Sequence, residues 1–139
     1  MAHYKNQRGS AGEKIVEIYF LKKGINCFAP SAVNSNRDLV IEIDKNFYGV
    51  QVKSASKANK DTDRQARRYK FNWRNKGKVR YKQDKCQIFA CVCLKTDFIY
   101  FMKNTGQTVT NIRTDQYSHE FQEDSFEKLL KDLQITKGI

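Results

Sequence analysis

The sequence predicts one α/β (α+β) domain built around a mixed β-sheet, and three observations indicate it. The chain has 139 residues, of which 40% are hydrophobic, which suffices for one core but not for two. Apolar residues follow the helical period near both ends of the chain and the period of a β-strand between them. With one Pro, seven Gly and no low-complexity linker, the chain offers no domain boundary. We therefore expect residues 1–139 to form a single domain.

The two helices are predicted at the ends of the chain. In "SAGEKIVEIYFLKKG", Ser10 and Glu13 have the spacing of a capping box, apolar residues follow at helical spacing, and Gly24 is a natural stop. In "DSFEKLLKDLQI", Asp124 is the predicted N-cap. The buried stripe of this second helix consists of Phe126, Leu129, Leu130 and Leu133.

Strands are predicted between the helices, beginning with a short one in "INCFAP" and a polar loop in "SAVNSNR". A hairpin follows in "DLVIEIDKNFYGVQVKS", residues 38–54. A turn at residues 45–46 places Asp38 opposite Lys53. Because alternate residues share a face, Asp38, Gln51 and Lys53 then lie together, opposite the apolar side chains that build the core. Two more apolar strands are expected in residues 86–103.

The net charge of +11 is concentrated in one segment of the chain. Residues 53–85 hold 13 Lys and Arg against 3 Asp and Glu, a net charge of +10, whereas the other 106 residues carry +1. A patch of one sign on a nearly neutral body indicates a polyanionic partner, and nucleic acid is the leading candidate.

The basic segment has the pattern of a two-stranded β-ribbon. Residues 67–83 alternate between aromatic and cationic side chains, and a loop at residues 75–77 would pair Phe71 with Tyr81. Such a ribbon fits the major groove of DNA, with the aromatic face anchored to the body. We expect residues 56–85 to be a DNA-reading insertion. The side chains predicted to contact DNA are Arg68, Lys70, Asn72, Arg74, Lys76, Lys78, Arg80 and Lys82.

The polar face of the hairpin suits a metal site for phosphodiester hydrolysis. The Asp38 carboxylate, the Gln51 amide oxygen and the Val52 carbonyl are hard oxygen ligands of the kind that Mg²⁺ takes. A divalent ion would offset phosphate charge and activate water, and Lys53 would steady that water or the developing charge. Glu13 is the best second carboxylate, because its helix should pack on this sheet. The alternative interpretation is an ordinary solvent-exposed hairpin face.

These motifs resemble the PD-(D/E)XK nuclease superfamily, and within it the homing endonucleases of group I introns. The resemblance rests on "GEKIVEIYFLKKG", "RDLVIEI" and "YGVQVKS". It implies an αβββαβ core like that of restriction endonucleases, here with an inserted basic β-ribbon. It also implies metal-ligand roles for Asp38 and Gln51, a catalytic lysine in Lys53 and a helix carboxylate in Glu13. Arg37 stands where the motif has Pro, and Gln51 stands where most members have Glu or Asp, so one anionic ligand is missing.

The function expected from this resemblance is a site-specific double-stranded DNA endonuclease that depends on Mg²⁺ or another divalent cation, with no small-molecule cofactor. Cleavage of both strands requires two active sites. A homodimer is therefore the minimum, and a homotetramer is the open alternative. Two other functions remain open: a Holliday-junction or branched-DNA resolvase of the same fold, and a DNA-binding protein without catalysis.

Several classes of protein are excluded by composition. The cysteines at 27, 86, 91 and 93 do not have the spacing of a zinc site and are expected to be small core residues. The sequence has only two His residues, which argues against His-based nuclease or Ser/His hydrolase chemistry. No apolar run approaches the roughly 20 residues that span a membrane. The start "MAHYKNQRGS" has no apolar core, so we expect a cytoplasmic protein without a secretory signal.

Overall fold

The computed structural model describes residues 2–30, 37–58, 67–74 and 81–135, with side chains from residue 9 onward. These ranges form a mixed α+β domain, which confirms the predicted fold class. The elements in chain order are α1 (Ala2–Lys22), β1 (Asn26–Phe28), β2 (Leu39–Ile43), β3 (Asn46–Ala55), β4 (Arg68–Asn72), β5 (Ile88–Cys93), β6 (Ile99–Lys103), β7 (Val109–Arg113), a 3-10 turn (Thr114–Gln116) and α2 (His119–Asp132). Neither described helix is long and apolar enough to cross a membrane.

The architecture has three layers. The central sheet has the strand order β1-β2-β3-β5-β6, in which β3 and β5 run parallel and the other neighbours run antiparallel. Both helices pack on one face of this sheet, with Phe20 and Phe126 among their buried residues. On the other face, β4 and β7 form a two-stranded sheet. Its Trp73 stacks on Phe89 of β5 with ring centroids 4.0 Å apart.

The β2–β3 hairpin has a different register from the predicted one but the predicted faces. Asp44 and Lys45 form the turn, both with positive φ (54° and 69°), as a two-residue hairpin loop of type I′ requires. Leu39 therefore pairs with Val50, and the prediction that Asp38 faces Lys53 is wrong. Each β2 residue pairs two positions earlier on β3 than predicted. A shift of two residues keeps every side chain on its face, because the period of a strand is two.

Both helices begin earlier than predicted. α1 is already helical at Ala2, so Ser10 and Glu13 lie inside the helix and form no capping box. Its predicted stop is confirmed, since Gly24 has a φ of 78°. α2 begins after Ser118, whose side chain accepts a hydrogen bond from the Phe121 amide at 3.0 Å, so Asp124 is not the cap. Phe121 stacks on Tyr100 of β6, so the first turn of α2, which was not predicted, packs against the sheet.

Two polar residues on the buried side of α2 cover the outer edge of the sheet. The Ile99 amide donates to Gln122 Oε1 at 2.8 Å, and the Phe101 amide donates to Ser125 Oγ at 3.0 Å. These two backbone amides point away from β5 and are thus satisfied by side chains, which opposes pairing of this part of β6 with another strand.

The basic ribbon pairs with a different strand from the predicted one. β4 runs antiparallel to β7, and Phe71 pairs with Thr110 rather than with Tyr81. The aromatic residues of β4 are buried, so the expectation that this face anchors the strand is confirmed. Residues 75–80, which include the predicted ribbon loop, lie outside the described residues. β7 was not predicted, although the alternation in "VTNIR" is a β-strand signal.

Candidate active site

Asp38 and Gln51 are brought into direct contact where β2 begins beside the middle of β3. The Asp38 amide donates to the Val50 carbonyl at 2.8 Å, which continues the hairpin ladder by one residue. Asp38 Oδ2 in turn accepts from Gln51 Nε2 at 2.8 Å and from the Val52 amide at 2.9 Å. Gln51 is only 6% exposed, so this pair lies at the edge of the core.

Lys53 lies on the same face of β3 as Gln51, two residues further along. Its side chain is half-buried, and its Nζ lies 6.0 Å from the centre of the Tyr81 ring. Burial raises the pKa of Asp38, while the Val52 amide and the charge of Lys53 act to lower it. The ammonium group is therefore close enough to Asp38 for the two charges to interact.

Glu13 reaches the same place from α1. It lines a cleft of about 120 Å³ together with Asp38, Ser10 and Leu39. Burial and the negative charge of Asp38 raise the pKa of Glu13. Two half-buried carboxylates thus face each other across a small cleft, an arrangement that favours a bound cation.

The approach of α1 depends on Gly12. A methyl group at this buried position would lie 1.8 Å from Ser54 Oγ and 3.2 Å from Ser54 Cβ. The Ser54 hydroxyl is buried without a hydrogen-bond partner. The helix backbone at Gly12 therefore packs directly against β3, which places Glu13 beside the sheet.

The donor set fits a hard divalent cation. Glu13 and Asp38 supply carboxylates, and Gln51 supplies a neutral amide. Its nitrogen faces Asp38 here, and the amide group would have to flip to present its oxygen to a cation. In the part of the chain that the structure describes, no group of three or more His, Cys, Asp or Glu residues is placed to hold a metal. The candidate site contains two carboxylates, because Gln51 occupies the position where the sequence resemblance implies a third.

A segment that the sequence did not assign to the site closes one side of it. Residues 81–87 cross the start of β3 at Gly49, where a methyl group would lie 2.7 Å from the Lys85 carbonyl oxygen. Arg37 Nε also donates to that carbonyl, at 2.5 Å. Tyr81 begins the segment and is buried. Burial and the charge of Asp38 raise its pKa to about 12, so its hydroxyl stays protonated.

A basic face is exposed on the two-stranded sheet. Arg68, Lys70, Asn72 and Arg74 are all exposed, as predicted from the alternation of β4. Arg113 pairs with Arg68, and Asn111 pairs with Lys70, so β7 adds two polar side chains that were not predicted. Lys82 is also exposed. The predicted contacts Lys76, Lys78 and Arg80 lie outside the described residues.

Two other features stand apart from this cluster. A groove of about 560 Å³ between α1, α2 and the turn after β5 holds the Lys23–Glu123 ion pair and none of the predicted site residues.

All four cysteines are free thiols, and Cys86, Cys91 and Cys93 are buried core residues. The expectation that these thiols act as small core residues is thus confirmed for three of them.

Comparison with known proteins gives a matching family model and similar solved structures. A family model described as PD-(D/E)XK endonuclease matches residues 3–128. The fold is similar to the structure of a bacterial homing endonuclease, I-Ssp6803I, with a TM-score of 0.65 and 15% sequence identity over 93% of this chain and 95% of that chain. No curated protein sequence matches this chain closely enough to indicate a relative.

Proposed function

This chain belongs to the PD-(D/E)XK endonuclease family and is a nuclease, and from that premise we propose that it is a Mg²⁺-dependent, site-specific endonuclease of double-stranded DNA. The observation that carries the proposal is the convergence of Glu13, Asp38, Gln51 and Lys53 from α1, β2 and β3. Carboxylate, amide and ammonium groups at one edge of a sheet are the groups that metal-assisted phosphodiester hydrolysis needs.

Each residue has a role that follows from its position. Asp38 and Glu13 would hold the divalent cation through carboxylate oxygens, and Gln51 and the Val52 carbonyl would add neutral oxygens. When bound, the cation neutralises phosphate charge and lowers the pKa of a water molecule. The Val52 amide keeps the Asp38 carboxylate oriented. Lys53 presents its ammonium group to the attacked phosphate, where negative charge develops.

The exposed face of β4 and β7 is the proposed DNA-reading surface. The two strands contain no acidic residue, and their exposed side chains include three cations, Arg68, Lys70 and Arg113. Arg74, just beyond β4, is a fourth exposed cation, and Arg113 also forms an ion pair with Asp115 at 3.3 Å. A two-stranded ribbon enters the major groove, where Arg recognises guanine and Asn recognises adenine. The basic charge of residues 53–85 supplies the general attraction to phosphate.

The test is cleavage of a randomised DNA duplex with Mg²⁺ and with EDTA, followed by sequencing of the selected ends. We expect cleavage only with Mg²⁺ and one enriched target site. Lys53→Ala and Asp38→Asn should slow cleavage by at least about a hundredfold while DNA binding persists. Lys131→Ala, at an exposed position of α2, is the matched control and should cleave normally. If Asp38→Asn cleaves as fast as the unchanged protein, the site assignment is wrong.

The same assay separates the two other functions. A resolvase would cut four-way junctions in preference to any linear duplex, and a DNA-binding protein without catalysis would show no Mg²⁺-dependent nicking. Cleavage of both strands also requires at least two copies of this chain. Light scattering with and without the selected duplex distinguishes a dimer from a tetramer.

A further inference from the structure

Tyr81 lies beside the candidate active site and packs against the hydrophobic core. It is 7% exposed, and its ring meets Phe89 of β5 edge to face, with centroids 6.1 Å apart. The opposite side of the contact is polar, because Lys53 Nζ lies over the Tyr81 ring at 6.0 Å. One aromatic ring therefore joins the hydrophobic layer under β5 to the ammonium group of the site.

The backbone of Tyr81 is fixed by a buried side chain from the far end of β6. Asn104, 1% exposed, donates through Nδ2 to the Tyr81 carbonyl at 3.1 Å and to the Cys86 carbonyl at 2.8 Å. The Asn104 amide donates to the Gln87 carbonyl at 2.9 Å. Both ends of the segment 81–87 are thus tied to the end of β6, so the backbone that carries the ring cannot move without breaking buried hydrogen bonds. The contact with Phe89 holds the ring itself.

The Lys53 side chain, in contrast to the Tyr81 backbone, is flexible by itself. A lysine side chain has four rotatable bonds and loses much rotamer freedom when its ammonium is held in one place. The face of an aromatic ring attracts that ammonium and limits the directions it takes. We infer that Tyr81 is a positioning residue that holds the Lys53 ammonium toward the attacked phosphate through its ring. This inference rests on the proposed nuclease function.

Substitutions of Tyr81 separate the ring from the hydroxyl. Tyr81→Phe keeps the ring and should cleave DNA within about threefold of the unchanged protein, since Phe also binds cations. Tyr81→Leu keeps an apolar residue but removes the ring. It should lower the cleavage rate of bound DNA by between about threefold and about thirtyfold, the range of cation–π interactions. The DNA dissociation constant should stay the same for both variants, because the ring is buried.

Nuclear magnetic resonance of the lysine side chains gives a readout that does not depend on cleavage. The Hε signals of Lys53 should show an upfield ring-current shift in the unchanged protein and in Tyr81→Phe, and should lose it in Tyr81→Leu. Lys23, whose Nζ lies 5.4 Å from the centre of the Tyr19 ring, is the internal control and should keep its shift in all three proteins. A retained Lys23 shift also shows that the Leu variant is folded.

The outcomes are distinct. The proposal is overturned if Lys53 shows no ring-current shift in the unchanged protein, a result that needs no variant to fold. It is also overturned if Tyr81→Phe slows cleavage as much as Tyr81→Leu, because the hydroxyl would then be the active group. If the unchanged protein binds but does not cut DNA while the Lys53 shift is present, the proposed function fails and the contact stands.

Discussion

Gly12→Ala is the substitution that tests most directly how α1 delivers Glu13 to the site. The added methyl would lie 1.8 Å from Ser54 Oγ, 3.2 Å from Ser54 Cβ and 3.6 Å from Val52 Cγ1. Ordinary carbon contacts are about 3.5–4.0 Å. Either the Ser54 hydroxyl must leave its position, or the helix must move away from β3. We expect the helix to move, because the Ser54 hydroxyl is buried and a close-packed interior leaves it little space to rotate into.

The expected magnitudes follow from this geometry. Overpacking costs about 1–3 kcal/mol. Replacing Gly by Ala inside a helix returns about 1 kcal/mol, so the net loss of stability is about 0–2 kcal/mol. The effect on activity should be larger, because a displacement of about 1 Å in a catalytic group lowers the rate by about a hundredfold. Gly12→Ala should therefore fold and bind DNA, but cleave it slowly.

Cleavage and thermal unfolding are measured on a double-mutant cycle with Ser54→Ala. Removing the Ser54 hydroxyl leaves the nearest contact at 3.2 Å, so Gly12→Ala/Ser54→Ala should regain most of the activity. Gly9→Ala is the control in the same helix, since a methyl there meets nothing within 4 Å. If Gly12→Ala cleaves DNA at the normal rate, or if the two substitutions are additive within about 0.5 kcal/mol, this account of helix placement is refuted.

Three further predictions concern charge. Burial alone would raise the pKa of Glu123, but hydrogen bonds from Lys23 and Tyr19 lower it. Its stabilising effect is thus present above its ordinary pKa of 4.5 and lost as the pH falls through its lowered value. Glu123→Gln should cost about 1–3 kcal/mol at pH 7, with the difference closing in acid. For Glu13, burial and a neighbouring carboxylate raise the pKa, so Glu13→Gln should raise the unfolding temperature at pH 7 without metal. Mg²⁺ at a hundredfold excess over its dissociation constant should add about 2.7 kcal/mol to the unchanged protein and less to the variant. Arg113→Ala should weaken DNA binding and reduce the salt slope by about 1.

Each of these predictions has a result that contradicts it. If the free energies of unfolding of Glu123→Gln and the unchanged protein differ by the same amount from pH 7 to pH 3, the Lys23–Glu123 ion pair does not stabilise the fold. An equal rise in unfolding temperature with Mg²⁺ for Glu13→Gln would exclude Glu13 as a ligand. For the DNA surface, Lys131→Ala is the control with an exposed lysine on α2. Equal salt slopes for Arg113→Ala and Lys131→Ala would mean that β7 does not contact DNA.

Much of the fold followed from local pattern. The hairpin faces were predicted correctly although the turn lies one residue earlier, because alternation in "LVIEI" and "YGVQV" determines which side is apolar. The contact between Asp38 and Gln51 follows from the same parity. The helix stop at Gly24 was also predictable, since a positive φ favours glycine.

What local pattern missed were contacts between distant segments. β4 pairs with β7, about 40 residues later in the chain, and not with the neighbouring basic stretch that looked like its partner. Alternation shows that a strand has two faces, but it carries no information about which other strand completes its hydrogen bonds. For the same reason, Asn111 and Arg113 were absent from the predicted DNA surface.

The sequence by itself determined the polar face of the hairpin, the basic charge of residues 53–85 and the residue types that suit a metal and a phosphate. The tertiary structure alone decided how these come together. It brought Glu13 beside Asp38 through the packing of Gly12 on Ser54, and it placed Tyr81 under Lys53. Both arrangements depend on close packing between segments far apart in the chain, which a one-dimensional pattern does not encode.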